Sequence, residues 1–420
     1  MRITRARASI AATAMLAVSA ACLAPVTGAS ASQQGFVTAP PAATAMSRAE
    51  AQRYWTPERI AAAAPLALAA SRGGHAGAVR TAAPDPARVT AAAMRSVWVR
   101  KTKRYPNRVH GKLVGTYAGL GNFSCSATVV SSGSGSLITT AGHCAFDAGG
   151  TRRFATDLAF IPGFARGQLP YGVWSVTNLI APAQWSRHAS FDYDVAMMRT
   201  KRSPFGTLQH VVGSRGIGFG QSRRQRILAY GYPARGKPAY NGFKLIRCSS
   251  RQGKDPGRFG GPRGRAIRCD MKQGASGGGW VAQRSFVVSN SSHIYTRRGH
   301  GRNFGPYYGK VVKAMYGARV PGCPSIGPAR CRGKIATIVG SNRAERLRGG
   351  NGRDVIAALG GNDRVSGGKG NDVICGGRGR DRLAGNGGRD RLEGGQGRDA
   401  CRGGGGRNQT KGCRFGAQPG

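Results

Sequence analysis

The chain has 420 residues, of which 40% are hydrophobic, and a formal net charge of +47. Its length is enough for two or three domains, and no apolar run reaches the roughly 20 residues of a membrane span, so we expect no span. The Lys and Arg residues are dispersed and lack a helix-turn-helix or aromatic-interleaved pattern, which argues against specific nucleic-acid recognition. The charge favours acidic partners, such as anionic cell-wall polymers, with nucleic acid as a non-specific partner only.

Residues 1–31 have the pattern of a secretory signal peptide. Three arginines precede an apolar stretch that ends in small residues, with predicted cleavage after Ala31. The residues before Cys22 lack the large aliphatic side chain that lipidation sites favour. We therefore expect a secreted, extracellular and soluble protein, and a monomer.

Nine of the ten cysteines lie after the signal peptide. Cysteines are paired by default in an oxidising compartment, so one of the nine is left over or pairs with another chain.

Residues 32–104 are rich in Ala and Pro and are predicted to be a pro-segment or linker, because this composition cannot support a sizeable core. One amphipathic helix is predicted within SRAEAQRYWTPERIAAAAPLALAAS, at 47–71. The basic cluster RKTKR at 100–104 is either a processing site or a solvated basic turn.

Residues 105–320 contain short runs of Val, Ile, Tyr and Phe between turn residues. This texture predicts an all-β sandwich or barrel, and the length suffices for two small barrels with a shared cleft.

Residues 331–420 form a predicted repeat region. Aspartates recur there at an interval of nine residues, at Asp354, Asp363, Asp372, Asp381, Asp390 and Asp399. The pattern matches the calcium-binding nonapeptide repeat of parallel β-helices, so these aspartates are expected to bind Ca²⁺.

An alternative for this region is a structural coil that disulfides hold together without metal. Its cross-links would involve Cys375, Cys401 and Cys413, with Cys323 paired to Cys331. Arginine precedes the Asp in several repeats, which adds positive charge next to the expected ion.

Ser276 lies in the glycine-rich stretch CDMKQGASGGGW, at 269–280. A serine flanked by glycines usually belongs to a turn, so a nucleophilic role requires a base and an orienting acid. His143 is the candidate base, since the β-branched run SLITTAGHC delivers it to a turn where Cys144 is a partner for Cys125. Asp194 is the candidate acid, preferred over Asp192 because it abuts the apolar run of the next strand.

The motifs TTAGHC, DVAMM and GASGGGW, in the order His, Asp, Ser, resemble those of chymotrypsin-fold serine peptidases. The stretches YWTPERI, CSATVV, PYGVW, CDMKQGASGGGW and NFGPYYG are similar to secreted bacterial trypsin-like peptidases of the glutamyl-endopeptidase type. The resemblance covers roughly residues 54 to 316. It implies two six-stranded antiparallel β-barrels at 105–320, which the repeat region would follow as a parallel β-roll or β-helix.

The resemblance also implies a serine endopeptidase that needs no cofactor for catalysis, with proteins or peptides as substrates. Ser276 would attack the peptide carbonyl, His143 would move the proton, and Asp194 would hold the imidazole. The backbone amides of Gly274 and Ser276 would form the oxyanion hole. Animal relatives carry an acid just before the serine, but this chain has Ala275, so activation is expected to proceed by removal of the pro-segment.

Two readings of substrate preference remain open. Asp270 stands six residues before Ser276, the spacing of the carboxylate that selects Lys and Arg in trypsins, although Cys269, a candidate partner of Cys248, alters the local frame. His293 is the candidate ligand for a substrate carboxylate in glutamyl endopeptidases. The competing function is an inactive protease-like cell-surface protein whose repeats carry the binding.

Overall fold

The computed structural model describes residues 35–40, 46–70, 76–81, 96–234, 240–257, 259–294, 302–318 and 328–414. The predicted signal peptide, with Cys22, and Cys323 lie outside these residues. No helix within the described ranges is long and apolar enough to cross a membrane.

The N-terminal segment folds onto the body of the protein. Its elements are β1 (Phe36–Thr38), α1 (Arg48–Tyr54), α2 (Pro57–Ala62), β2 (Ala64–Ala70), β3 (Ala76–Thr81) and β4 (Ser96–Trp98). The prediction of one helix over 47–71 is wrong, because Thr56 caps a second helix with Pro57 in its first turn. The residues after α2 then pair as a strand with the barrel instead of continuing the helix.

A closed six-stranded barrel follows. Its elements are β5 (His110–Tyr117), β6 (Gly121–Val130), β7 (Leu137–Thr140), β8 (Thr156–Pro162), β9 (Trp174–Pro182), α3 (Ala183–His188) and β10 (Ala196–Thr200), with 3₁₀ turns at Asn107–Val109, Gly142–Cys144 and Phe191–Tyr193. The strands pair in the order β6, β5, β8, β9, β10 and β7, and β7 closes the ring by pairing with β6. Closure satisfies every strand edge of the barrel. From outside the ring, β1 pairs with β9 and β2 with β6.

A second sheet, which is antiparallel except at its last pair of strands, packs beside the barrel. Its elements are α4 (Leu208–Val212), β11 (Gly216–Gly218), β12 (Arg226–Gly231), β13 (Ile246–Lys254), β14 (Arg265–Arg268), β15 (Gly279–Ala282), β16 (Phe286–Asn290), β17 (Arg302–Gly305) and α5 (Lys310–Gly317). The strand order is β17, β14, β13, β12, β15, β16 and β11, and β4 also pairs with β13. Among the described strands this sheet continues through β11 into the repeat region instead of returning to β17.

The repeat region is a parallel β-solenoid. Its elements are β18 (Arg330–Cys331), β19 (Lys334–Ile335), β20 (Ile338–Val339), β21 (Arg346–Arg348), β22 (Val355–Ala357), β23 (Arg364–Lys369), β24 (Val373–Arg378), β25 (Arg382–Gly387), β26 (Arg391–Gln396), β27 (Ala400–Gly405) and β28 (Gln409–Lys411). Two repeats make one coil, so residues 18 apart pair in register, as Leu347 does with Val365. The apolar residue of each repeat fills the narrow core, where Ile356, Ile374 and Leu392 are fully buried. The expectation of an all-β chain that ends in a parallel solenoid is confirmed. The two barrels expected at 105–320 correspond to one closed six-stranded barrel and, among the described strands, a second sheet that does not close.

Four disulfides cross-link the described residues. Cys125–Cys144 and Cys248–Cys269 join the pairs expected from the sequence. The expected pairing of Cys323 with Cys331 is wrong, since Cys331 is bonded to Cys375, whose Cα lies 5.7 Å away. The β18–β19 hairpin packs on the solenoid and brings these residues together although they are 44 apart in the chain. Cys401–Cys413 closes the last coil.

Candidate active site and carboxylate ladders

His143 lies at the end of β7, in the 3₁₀ turn that the Cys125–Cys144 disulfide ties to β6. Its side chain is fully buried, and its backbone carbonyl accepts a hydrogen bond from the Tyr117 hydroxyl. Fixing the backbone on both sides of the histidine leaves the imidazole little freedom to turn away.

Asp194 faces His143 from the start of β10. One carboxylate oxygen accepts a hydrogen bond from the backbone N–H of His143 at 2.8 Å, and the other contacts Nδ1 of the ring at 2.9 Å. The structure places Asp192 elsewhere, with Oδ2 accepting from the backbone N–H groups of Phe259 and Gly261.

Ser292, which the sequence analysis did not single out, completes the surroundings of Asp194. Its hydroxyl donates to Oδ2 of Asp194 at 2.5 Å, and the side-chain amide of Asn290 donates to the backbone carbonyl of the same aspartate. Burial alone would raise the pKa of Asp194, but the facing His143 and these hydrogen bonds hold it below its usual value. The geometry thus keeps a buried carboxylate ionised beside an imidazole.

Ser276 lies in the turn between β14 and β15, and its carbonyl accepts a hydrogen bond from the N–H of Ser126. The glycine after it is required by space, since Gly277 has a φ of +81° and a Cβ there would meet Thr140 Oγ1 at 2.0 Å. Gly274 has a φ of +87° and faces the carbonyl of Tyr232. These two close approaches fix the backbone around the serine.

The amides of Gly274 and Ser276 flank Ala275, whose own N–H donates to the carbonyl of Lys272. Nε2 of His143 is buried and makes no hydrogen bond to the described residues, so its bond to Ser276 is not formed in this state. Catalytic hydrogen bonds are often long in substrate-free structures and tighten when the substrate binds.

The two specificity candidates occupy different places. Asp270 does not line the cavity beside Ser276; it is buried and accepts hydrogen bonds from the hydroxyls of Ser96 in β4 and Tyr240. Burial raises its pKa. His293 does line that cavity, but its Nε2 lies 3.2 Å from a carboxylate oxygen of Asp255, and both side chains are buried.

The N-terminal segment fills the cleft at Ser276. Leu66 and Leu68 of β2 line the cavity together with Ser276, Ser292 and His293. The remaining space is about 30 Å³, room for about two water molecules. Sequence analysis missed this contact, because the Ala-rich stretch around β2 has the composition of a low-complexity segment.

Several anchors hold β2 in place. The carbonyl of Ala63 accepts from the Ser124 hydroxyl, and Ala64 pairs in parallel with Phe123 of β6. Trp55 is fully buried, with its indole N–H donating to the carbonyl of Asp157. An apolar side chain of this size contributes about 2 to 3 kcal/mol on burial, so the segment is a bound part of the fold.

The repeat aspartates form two ladders, one along each edge of the solenoid. In each ladder, Oδ1 of an aspartate accepts a hydrogen bond from the N–H of the acidic residue one coil earlier. The ladders run through Asp354, Asp372 and Asp390 to Asn408, and from Glu345 through Asp363 and Asp381 to Asp399. The structure therefore brings together all six predicted residues and adds Glu345 and Asn408 at the ends.

The second carboxylate oxygens are buried and lack a hydrogen-bond donor among the described residues, at Asp363, Asp372, Asp381, Asp390 and Asp399. Burial raises the pKa of Asp363 to about 8 and that of Asp372 to about 7. A buried oxygen without a donor is costly, and a bound cation relieves that cost.

Asn408 shows where the cation would lie. Its amide oxygen accepts from the Asp390 N–H, as an aspartate does, while its amide nitrogen donates to the carbonyls of Gly404 and Gly406. In the preceding coils an aspartate stands at the position of Asn408, so a carboxylate and backbone carbonyls are the groups available there. Such an all-oxygen set suits Ca²⁺, so the donor groups fit the ion that the sequence predicts.

Comparisons with known proteins found matches for the repeat region and for the region that precedes it. Residues 339–374 and 376–409 match the family described as RTX calcium-binding nonapeptide repeat. No curated protein matches the chain.

Three solved structures are similar to the rest. Protease Anisep from Arthrobacter nicotinovorans is 33% identical over 50% of this chain and 94% of its own, with a TM-score of 0.46. The thermostable serine protease AL20 from an extremophilic microorganism is 34% identical over 50% of this chain and 95% of its own, with a TM-score of 0.46. A Glu endopeptidase is 19% identical over 54% of this chain and 97% of its own, with a TM-score of 0.43.

By identity and coverage of the first two, the chain belongs to the chymotrypsin-fold serine-protease family. It carries, in addition, a C-terminal solenoid of the RTX repeat type.

Proposed function

We propose that the protein is a secreted serine endopeptidase that hydrolyses peptide bonds through His143, Asp194 and Ser276. The observation that carries the proposal is the buried Asp194, which contacts the imidazole of His143 and accepts a hydrogen bond from Ser292, a residue that lines the cavity beside Ser276. Ser276 Oγ attacks the substrate carbonyl while Nε2 of His143 accepts its proton and later gives it to the leaving amine. Asp194 stabilises the imidazolium that forms.

The amides of Gly274 and Ser276 are proposed to bind the oxyanion of the tetrahedral intermediate. One such donor is typically worth about 3 to 4 kcal/mol of barrier lowering. The positive φ of Gly274 supports this assignment, because it allows that amide to turn towards the cleft.

The protein is further proposed to be made as an inactive precursor. Leu66 and Leu68 lie beside Ser276 and occupy part of the cleft in which a peptide would bind. The basic cluster at 100–104 supports cleavage there, since Arg100, Lys101 and Arg104 are exposed. A cut at this point would break the chain between β4 and Tyr105, and departure of the N-terminal segment would then remove the Ser96 hydroxyl from Asp270.

The proposed nucleophile is tested with Ser276→Ala. Protein that begins between Val99 and Tyr105 should cleave casein, and the variant should not, while both melt at the same temperature. Cleavage by the variant would overturn the assignment, and an inactive wild type would favour the protease-like binding protein instead.

The precursor proposal is tested separately by amino-terminal sequencing of the secreted, active protein. The expected first residue lies between Val99 and Tyr105. Active protein that retains residues upstream of Val99, and with them β2 in the cleft, would contradict it.

The solenoid is proposed to bind Ca²⁺ through the aspartate ladders. Asp363, Asp372, Asp381, Asp390 and Asp399 would hold the ions with the carbonyls of the glycine-rich turns, and the ions would offset the buried carboxylates. Thermal melts in calcium and in chelator test this assignment. No shift at millimolar calcium would remove the metal from the function of this region.

A further inference from the structure

The outer surface of the solenoid is almost purely cationic. Residues 328–414 contain 19 Lys and Arg but eight Asp and Glu. Six of those acids are the buried ladder aspartates, and Glu345 is largely enclosed as well. The last, Glu393, lies 3.8 Å from Arg332. Because the acidic side chains point inward or are paired, the surface presents positive charge to solvent.

Four of these arginines line one groove. A cavity of about 410 Å³ runs along the outside of the first ladder, and its cationic lining is Arg353, Arg389, Arg391 and Arg407. Asn371 occupies the same position as the arginines in the intervening coil. Successive coils lie about 4.8 Å apart, so the groove repeats its charges along the solenoid axis.

The two acidic residues in the groove offset only half of the charge of the four arginines. Asp372 and Asp390 also line the cavity, but each turns Oδ1 into the coil, where it accepts a backbone N–H from the coil before. Stacking like charges at each coil is unfavourable for folding alone. A ligand with regularly spaced negative groups would relieve the repulsion.

The chemistry of the groove narrows the class of ligand. All four cations are arginines, whose planar fork matches phosphate oxygens in a bidentate manner. Residues 338–414 contain no Phe, Tyr or Trp, so the solenoid has no ring on which a nucleobase could stack. A linear phosphodiester polymer without bases therefore fits the groove better than a nucleic acid does.

We propose that this groove is a binding site for a linear, base-free phosphodiester polymer, which would hold the protein on an anionic surface. The arginines at positions 353, 389 and 407 contact phosphates along the groove, and Arg391 closes one side. The site is separate from the cleft at Ser276 and does not depend on peptidase activity.

The test uses the full chain in a Ser276→Ala background, with poly(glycerol phosphate) as the probe and free calcium held constant. Arg353→Gln, Arg389→Gln and Arg407→Gln are combined in one variant. Binding should weaken roughly 100-fold, about fivefold for each arginine. The slope of log affinity against log salt should fall by about two, because three contacts each release about 0.7 counterions.

The matched control combines Arg346→Gln, Arg364→Gln and Arg382→Gln. These exposed arginines stack in register on the sheet of β21, β23 and β25, so the control has the same net charge and the same solenoid. It should bind within about threefold of the parent, as surface charges outside a site have small effects. Equal weakening of both variants would show diffuse attraction and overturn the site.

Single-stranded DNA of equal charge identifies the polymer. The groove should bind it more weakly than poly(glycerol phosphate), since it offers no stacking surface. Tighter binding of DNA, lost in the groove variant, would assign the site to nucleic acid and contradict the proposed ligand. Unchanged melting curves for both triple variants confirm that the solenoid remains folded.

Discussion

The protease domain and the solenoid differ in how the oxygens of their buried carboxylates are hydrogen-bonded. In the protease domain, both oxygens of Asp194 accept hydrogen bonds, from His143 and from Ser292. In the solenoid, every ladder aspartate except Asp354 has one oxygen bonded to backbone and a second that is buried without a donor among the described residues, as at Asp381 and Asp390. Asp194 obtains its hydrogen bonds from within the fold, whereas the second oxygens of the ladder aspartates need a partner from solution.

The difference shows that burial alone does not decide the charge of a carboxylate, because facing charges and hydrogen-bond donors oppose it. Asp194 is fully buried, yet its donors and His143 hold its pKa below the usual value. Asp381 has a pKa raised to about 6 because burial is opposed only by one backbone N–H. The protease domain is therefore expected to keep its site without added ions, and the solenoid to depend on them.

Replacing Asp194 with Asn should have the largest effect. The amide presents the wrong hydrogen-bonding partner to Nδ1 of His143, so kcat should fall by about 10⁴-fold. The control is Asp192→Asn, which changes a buried aspartate of the same turn that bonds Phe259 and Gly261 instead. Steady-state kinetics on a peptide substrate measure both, and equal losses would show that contact with His143 is not what matters.

Lys112 shows what it costs to bury a charged side chain in the protease domain. Its ammonium is buried between the rings of Phe164 and Phe243, and it donates a hydrogen bond to the carbonyl of Ile60 in the N-terminal segment. Burial lowers its pKa from 10.5 to about 8.

Between pH 8 and 10.5 the unfolded chain binds more protons at Lys112 than the folded chain, so this residue adds stability as the pH rises. The difference in unfolding free energy between wild type and Lys112→Met should change by about 3 kcal/mol over that range. Denaturant melts of the unprocessed chain at several pH values measure it. The exposed Lys103→Met should show no such trend, and a constant difference for Lys112→Met would refute the cost of burial.

Asp390→Asn tests the solenoid side of the comparison. The new amide should donate to turn carbonyls as Asn408 does, so this position should need no ion. Calcium at 100 times its dissociation constant stabilises by about 2.7 kcal/mol per site, and the variant should lose about that much of the calcium effect. Its stability in chelator should equal or exceed that of the wild type.

Glu393→Gln is the control for this experiment, because it removes a carboxylate of the same coil that lies outside both ladders. Its calcium effect should match the wild type. A full calcium effect in Asp390→Asn, measured by the same melts, would mean that the ladder oxygens do not hold the ion.

The sequence predicted the features that depend on local pattern. The β-branched run before His143, the apolar run after Asp194 and the nine-residue interval of the aspartates each specify a strand or coil and therefore a position. Cys125 and Cys144 flank one strand-loop-strand unit, so their pairing could also be predicted.

Features that depend on long-range packing could not be predicted. Ser292 stands in an ordinary serine-rich stretch, and its role follows from the way β16 passes Asp194. The pairing of Cys331 with Cys375 needs the hairpin to dock on the solenoid. The place of Leu66 in the cleft needs β2 to pair with β6, which an Ala-rich composition does not indicate.

Labelling with a serine-directed phosphonate tests the central claim most directly. Protein cut between Val99 and Tyr105 and freed of the N-terminal segment should incorporate one phosphonate, located at Ser276 by peptide mass spectrometry. The uncut chain, with Leu66 and Leu68 in the cleft, should label far more slowly. Failure of the cut protein to label, or a label on another serine, would contradict a serine peptidase built on Ser276.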